Sequence, residues 1–528
     1  MSPISPELLA RARDWAASDP DPATAAELDA LLEAAVLEDA DADAAVIAQA
    51  RQELADAFSG TLQFGTAGLR AALGPGPNRM NRVVVRRAAA GFAAFLLDTA
   101  AAASEPYRPR AVVGFDARHN SDVFARETAA ILTAAGIETF LMPAALPTPL
   151  LAFAVRALGC EGGVMVTASH NPPQDNGFKI TLNKCSLHGD EIQGLRQRIL
   201  GGQLAGSGRT GSVSFAEIAG PYTDWIVNNI ALGPRKLKVA IDCGNGPTGP
   251  VSPGLVQRLG CEVIGLFTEP DGNFPNHHPD PTVEANLADL RRAVADHGCD
   301  VGIAYDGDGD RIGVIDEKGG ILWGDRLLIL LARAILRVVP GAAIVGEVKC
   351  SQTLFDDIAR HGGRPVLSRV GHSLIKDRMK TEGAQLAGEM SGHIFYKHRY
   401  FGFDDATYTT CRLLEILSND PRPMSELLAD VPHTFATPEI RLQCPDDAKF
   451  GVVAQVAAAY KQTHEVIDID GVRVIFADGW GLVRASNTGP VLVMRCEAQS
   501  AAGRDRIQAE LTHAVEAAMG APVQLGAH

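Results

Sequence analysis

Along the chain, short apolar runs alternate with glycine-containing polar loops and with stretches whose apolar positions recur at helical spacing, and one such succession occurs three times. Ala111–Phe115 leads through DARHNSD to a helical stretch ending near Ala135 and then to the apolar run Ile137–Leu141. Lys238–Asp242 leads through CGNGPTG to a helical stretch and Cys261–Leu266. Ala343–Val348 leads through KCSQ to a helix reaching Arg360 and the run Arg364–Leu367. Strand, polar loop, amphipathic helix and second strand make one βαβ-type unit, so the repetition predicts an α/β fold with three similar α/β domains in series.

The two ends differ from this pattern. Residues 1–58 read as helical, with Thr24 and Glu27 at capping-box spacing ahead of Leu28, Leu31, Leu32, Ala35 and Val36 on one face, and form an N-terminal extension rather than a catalytic unit. From about residue 434, Glu439–Leu442, Val472–Phe476 and Pro490–Arg495 read as strands and Ala502–Met519 as a helix, which predicts a smaller α+β C-terminal domain. The expected units are 1–58, 59–215, 216–318, 319–433 and 434–528.

Composition narrows the partners. At 528 residues the chain exceeds one hydrophobic core, and length alone predicts about three or four domains. A net charge of -15 repels nucleic acid and anionic membrane surfaces, so any small anionic ligand needs a locally basic pocket. The nine cysteines contain no C-x-x-C pair, which argues for reduced thiols in a cytoplasmic protein over a disulfide framework or thiolate zinc site. Charged residues interrupt Met1–Trp15, and the longest apolar stretch, Ala88–Leu97, is about half of what a membrane helix needs.

Six segments carry chemistry. DGDGDR, residues 306–311, follows the apolar run Val301–Ala304, and its glycines permit a turn that aims Asp306, Asp308 and Asp310 at one hard cation, with Mg²⁺ expected. An EF-hand would also place Glu317 at its twelfth position, but Arg311 stands where that loop needs glycine and a strand precedes it. TASHNP, residues 167–172, sets Ser169 at a strand end on a loop fixed by Asn-Pro, as suits a nucleophile or phosphate carrier; the same residues also suit an Asx-type turn. No G-x-S-x-G elbow accompanies it. KCS at 349–351, GHS at 371–373 and GEMSGH at 388–393 offer donors and acceptors for sugar hydroxyls, though each alone is an ordinary loop composition. RASNTGP, residues 484–490, combines an arginine, hydroxyls, an amide and a turn into a phosphate cradle, or a polar turn before a strand.

In this order, from about Phe64 to Arg495, these segments resemble the α-D-phosphohexomutase family, and within it the phosphomannomutase/phosphoglucomutase branch. The likeness continues through GHSLIK at 371–376 and GFDDATYTTCRLLEILS after the sugar loop. The opening FGTAGLR, the extension with DPDPATAAELDALL and the QDNG after the serine are closer to longer phosphoglucomutase-type or phosphopentomutase-type members.

The resemblance implies four domains around a central cleft and a phosphoserine at Ser169 that completes a Mg²⁺ site with Asp306, Asp308 and Asp310. It places Lys179, Arg70 and His393 near the reacting hydroxyl, Glu389 and Ser391 on sugar hydroxyls, and Lys349 and His372 on sugar or phosphate. Arg484, Ser486, Asn487 and Thr488, with Arg495, would clamp the distal phosphate, and Arg311 would help offset the crowded negative charge. The implied reaction interconverts hexose 1-phosphate and hexose 6-phosphate through a 1,6-bisphosphate that also serves as activator. A mutase for pentose or amino-sugar phosphates, or a catalytically silent sugar-phosphate binder, is the alternative, and a monomer or homodimer is expected.

Overall fold

The computed structural model describes residues 4–37, 43–62, 64–65, 68–187, 189–206, 208, 211–486 and 489–523. Four β-sheets are arranged along the chain, three flanked by helices as α/β units and a fourth of antiparallel strands at the C-terminal end. In the first sheet, Arg110–Phe115 runs parallel to Glu138–Leu141 and to Gly162–Val166, while Asp175–Leu182 returns antiparallel beside Gly162–Val166. The second repeats this with Lys238–Asp242, Glu262–Leu266, Val301–Tyr305 and the antiparallel Ile312–Asp316. The third repeats it again with Ala343–Glu347, Arg364–Ser368, Leu386–Gly388 and the antiparallel Ile394–Tyr396.

Each repeat is therefore longer than the βαβ unit the sequence displays. A third parallel strand follows, and a turn at its carboxyl end leads into the antiparallel strand. Those turns are residues 167–174, 306–311 and 389–393, so three equivalent points of one topology deliver three of the chemistry-bearing segments. This obeys the rule that sites in open α/β sheets form beyond the carboxyl ends of the parallel strands.

One apolar core runs through all three repeats, joining Leu150 and Phe153 of the first to Ile241 and Ile303 of the second and Leu331, Ile344 and Leu386 of the third. The fourth sheet alternates sides. Val474, Val483, Leu492 and Met494 pack onto the helices Lys449–Tyr460 and Ala501–Met519, whereas Trp480 and Leu482 face the third unit and meet Val348. Arg473 lies on that second face. Its guanidinium stacks 3.8 Å from the Trp480 ring and donates to the carbonyls of Val348 at 2.8 Å and Cys350 at 3.0 Å.

The extension forms three helices, Pro6–Ser18, Pro22–Val36 and Ala44–Ala57, which bury Trp15, Leu28, Leu32, Leu54 and Phe58 together with Val83 and Val84 of the helix Arg82–Ala101. The second of these helices is capped by Asp21, which accepts from the Ala23 N–H, with Pro22 at the first position. That replaces the expected Thr24–Glu27 box: the Thr24 hydroxyl instead donates to Asp19 and to the Asp21 carbonyl. Among the described residues no helix is long and apolar enough to cross a membrane.

Candidate active site

Ser169 sits in the left-handed region at φ 55°, in a turn stapled from below by Arg118. The fully buried Arg118 guanidinium donates to the carbonyls of Ser169 (2.6 Å), Asn171 (2.5 Å), Pro172 (2.7 Å) and Asp175 (3.1 Å), while its Nε faces Asp116 at 3.3 Å. The Ser169 N–H donates to Thr167 Oγ1 at 2.9 Å, and its Oγ donates to Asp306 Oδ2 at 2.9 Å. The serine and the aspartate loop, 137 residues apart in sequence, are thus in hydrogen-bond contact.

Two glycines make that approach possible. A Cβ on Gly307 would lie 2.3 Å from the Ser169 carbonyl oxygen, and one on Gly392 would lie 2.4 Å from the Ile312 carbonyl oxygen. The three turns therefore pack backbone against backbone, and the Ile312 N–H donates to the Gly392 carbonyl at 3.0 Å. The EF-hand alternative falls on the same geometry, because Glu317 accepts from the Ser425 N–H at 3.1 Å rather than closing the loop.

The three carboxylates are buried, and their oxygens lie within 4.8 Å of one another. Lys179 Nζ donates to Asp308 Oδ2 and Asp310 Oδ2, each at 2.7 Å, and the Thr148 hydroxyl also donates to Asp308 Oδ2. Burial works against the Lys179 charge, but the two aspartates outweigh it and hold its pKa above the ordinary lysine value. Burial, Asp310 and Asp308 push the Asp306 carboxyl well above the carboxylate range, while Lys179 and His393 overcome burial at Asp310 and hold it well below. A divalent cation fits here: Asp308 Oδ1 is buried with no hydrogen-bond partner among the described residues, and the cluster carries negative charge in excess of what Lys179 offsets.

Around the aspartates stand further cations. Arg70, on a strand paired with Asp175–Leu182, is 3.5 Å from Asn171 Oδ1 and is held below the ordinary arginine value by burial, with Asp308 opposing. Arg311 Nε is 3.4 Å from His393 Nε2. His393 links two carboxylates, with Nε2 3.1 Å from Asp310 Oδ1 and Nδ1 2.7 Å from Glu389 Oε2, and Asp310 chiefly outweighs burial to raise it to about 9. Ser391 Oγ lies 3.2 Å from the same Nδ1. His372 stacks on His393 at 5.7 Å, faces Asp404 at 3.3 Å and is lowered to about 4 by burial and by Lys376.

The fourth sheet contributes the remaining groups. Lys349 Nζ meets Glu439 at 3.0 Å across the gap between the third and fourth units. Arg484 is buried, with Nε 3.3 Å from Asp470. Ser486 follows it at the strand end, and Asn487 and Thr488 lie outside the described residues. Arg495 lies among groups that join the two units: it donates to the Lys349 carbonyl and faces Asp325 at 3.7 Å. Sequence reasoning passed over Arg118, Thr148, Asp404 and Asp470, although Arg118 lies in the DARHNSD loop and Asp404 in the GFDDATYTT segment that the sequence marks.

Family models described as phosphoglucomutase/phosphomannomutase alpha/beta/alpha domains I, II and III match residues 61–204, 220–320 and 323–435, and the model of the C-terminal domain matches 439–514. A phosphomannomutase/phosphoglucomutase of Pseudomonas syringae pv. tomato is 49% identical over 364 residues, 69% of this chain and 78% of its own. A phosphoglucomutase of Neisseria gonorrhoeae is 43% identical over 79% of this chain and 91% of its own. Among solved structures, a phosphoglucomutase/phosphomannomutase family protein from Burkholderia thailandensis superposes with a TM-score of 0.80 at 38% identity, covering 87% of this chain and 98% of that one.

Proposed function

The chain belongs to the phosphoglucomutase/phosphomannomutase family, and on that premise we propose that it interconverts hexose 1-phosphates and hexose 6-phosphates of glucose, mannose or both, through a phosphoserine at Ser169. The observation that carries this reading is the contact of the Ser169 hydroxyl with Asp306 inside a buried cluster of three aspartates. Asp306, Asp308 and Asp310, with an oxygen of the serine phosphate, would hold Mg²⁺, which when bound supplies charge neutralisation for phosphoryl transfer.

The protein's own groups do the rest. The Arg118-stapled turn holds the serine oxygen in one place. Arg70, Lys179 and His393 surround the aspartates, where as cations they stabilise the transferring phosphoryl, and the proton of the attacking sugar hydroxyl ends on the released Ser169 oxygen. In that transfer the bond from phosphorus to Ser169 Oγ breaks and one to the sugar oxygen forms, giving a 1,6-bisphosphate. Glu389 and Ser391 accept and donate to ring hydroxyls, Lys349 and His372 contact sugar or phosphate, and Arg311 offsets negative charge along the cleft. Arg484, Ser486, Asn487 and Thr488 grip the phosphate that does not react, with Arg495 the lesser contributor. The bisphosphate then turns end over end and returns its other phosphate to Ser169, so added bisphosphate restores enzyme that has lost the group. The sugar phosphate is a small soluble partner, and a monomer or homodimer suffices.

Ser169→Ala is expected to abolish conversion of glucose 1-phosphate to glucose 6-phosphate with bisphosphate and Mg²⁺ supplied, and peptide mass spectrometry of the untreated protein to find one phosphate on the Ser169 peptide of the wild type. Near-normal turnover of the variant overturns the assignment.

A further inference from the structure

Asp470 precedes the strand Val472–Phe476 and touches neither the serine nor the aspartate loop. Its Oδ1 accepts from Arg484 Nε at 3.3 Å, and its Oδ2 accepts from the backbone N–H of Val370, in the third unit, at 2.8 Å. The carboxylate is placed by backbone packing: Gly471, at φ 78°, lies so close to the next strand that a Cβ would stand 2.4 Å from the Val483 carbonyl oxygen and 2.7 Å from Arg484 Cα. Arg484 is 5% exposed, and its Nη2 is buried without a hydrogen-bond partner among the described residues. Asp470 thus grips the guanidinium by Nε and leaves a desolvated donor at its far end. A buried donor without an acceptor costs free energy unless a ligand supplies one.

The other side of Asp470 leads to the aspartate loop. Val370 is followed by Gly371, whose N–H donates to Glu389 Oε1 at 2.8 Å. Glu389 Oε2 is 2.7 Å from His393 Nδ1, and His393 Nε2 is 3.1 Å from Asp310 Oδ1. A continuous series of polar contacts therefore joins an arginine of the fourth sheet to an aspartate of the second unit through the successive backbone N–H groups of Val370 and Gly371 in the third.

Resting on the mutase reading above, we propose that Asp470 is a positioning residue that orients Arg484 toward the unreacting phosphate and, through the adjacent N–H groups of Val370 and Gly371, fixes that orientation relative to the Glu389–His393 sugar grip. The substrate's two ends are then read by parts that share one frame. This explains how the phosphate grip, on a separate sheet, keeps register with the sugar loop in both halves of the reaction. An exchange of the two phosphates presents the same distance to the same pair of grips.

Asp470→Asn preserves shape and removes one acceptor. It is expected to raise KM for glucose 1-phosphate about tenfold with a smaller change in kcat, and to weaken competitive inhibition by inorganic phosphate by a similar factor. In an Arg484→Lys background, which has lost the Nε donor, the same substitution is expected to change KM by less than about twofold. A role confined to stability moves the thermal midpoint but not KM or phosphate inhibition, and KM effects that multiply independently with Arg484→Lys likewise overturn the proposal. Should Asp470→Asn fail to fold, Asp470→Glu carries the same test, since its longer arm keeps the charge and displaces the guanidinium. Loss of Ser169 dependence refutes the mutase reading; a Ser169-dependent enzyme with unaltered KM in the Asp470 variants refutes this proposal alone.

Discussion

Arg118 shows how one side chain turns a strained loop into a fixed one. A non-glycine residue at φ 55° is held only when its surroundings over-determine it, and four carbonyls on one guanidinium do so for Ser169. Arg118→Met removes those donors and leaves Asp116 without its cation. A loss of about 3 kcal/mol in urea unfolding is expected. Mutase activity of the folded fraction is expected to fall by at least about 100-fold, because the serine oxygen is no longer held. Normal activity per folded molecule would assign Arg118 to stability alone.

At the scale of elements, the helix Ala406–Asn419 begins on Asp405, whose carboxylate accepts from the Tyr408 N–H and from the hydroxyls of Tyr222 and Tyr400. Burial outweighs these donors and raises the carboxyl to about 6. The folded chain therefore keeps a proton that the unfolded chain releases near the ordinary value of about 3.9. The stability this adds is full below that value and is lost as pH rises through about 6; the difference of roughly two pH units corresponds to about 3 kcal/mol. Asp405→Asn cannot titrate, so the wild type's advantage over it in urea midpoints should be larger at pH 4.5 than at pH 7.5. An advantage that grows with pH contradicts the argument.

The legibility of the sequence divides at the same scale. The βαβ runs such as Lys238–Asp242 were readable because a buried parallel strand is a continuous apolar run. The antiparallel Asp175–Leu182 was not, because polar Asp175, Asn176 and Lys179 interrupt its pattern, Asp175 and Lys179 to bond the serine and aspartate turns and Asn176 to bond His119 and Ser121. Gly479–Ala485 was hidden by its two glycines, one of which is packed within 2.3 Å of Leu511 were a Cβ present. The three aspartates stood out as a local motif and Ser169 was singled out only by the resemblance of the whole series of segments, whereas Asp470 is an isolated acidic residue whose meaning exists only in contacts with Val370 and Arg484.

For the whole molecule, the fourth sheet is joined to the third unit by Arg473, Trp480 and Glu497 more than by a broad apolar seam. Glu497 accepts from Ser351 Oγ at 2.9 Å and from Trp480 Nε1 at 3.1 Å. Arg473→Met deprives the Val348 and Cys350 carbonyls of their donor, at a cost of about 2–4 kcal/mol borne by one interface. Calorimetry is expected to resolve an early transition for the C-terminal unit that the wild type does not show; a single shifted peak would mean that the units unfold together regardless.

The stacking of three turns at one rim also dictates where the chain can change its length. Gly307 and Gly392 have carbonyl oxygens where a methyl group would go, so an added residue there pries apart the layers beneath the sugar. On the opposite rim, Gly298, Gly341, Gly362 and Gly383, each between a helix and the next strand, face open space. Peptide tags, surface probes or whole inserted modules belong on that far rim, where growth leaves the chemistry untouched.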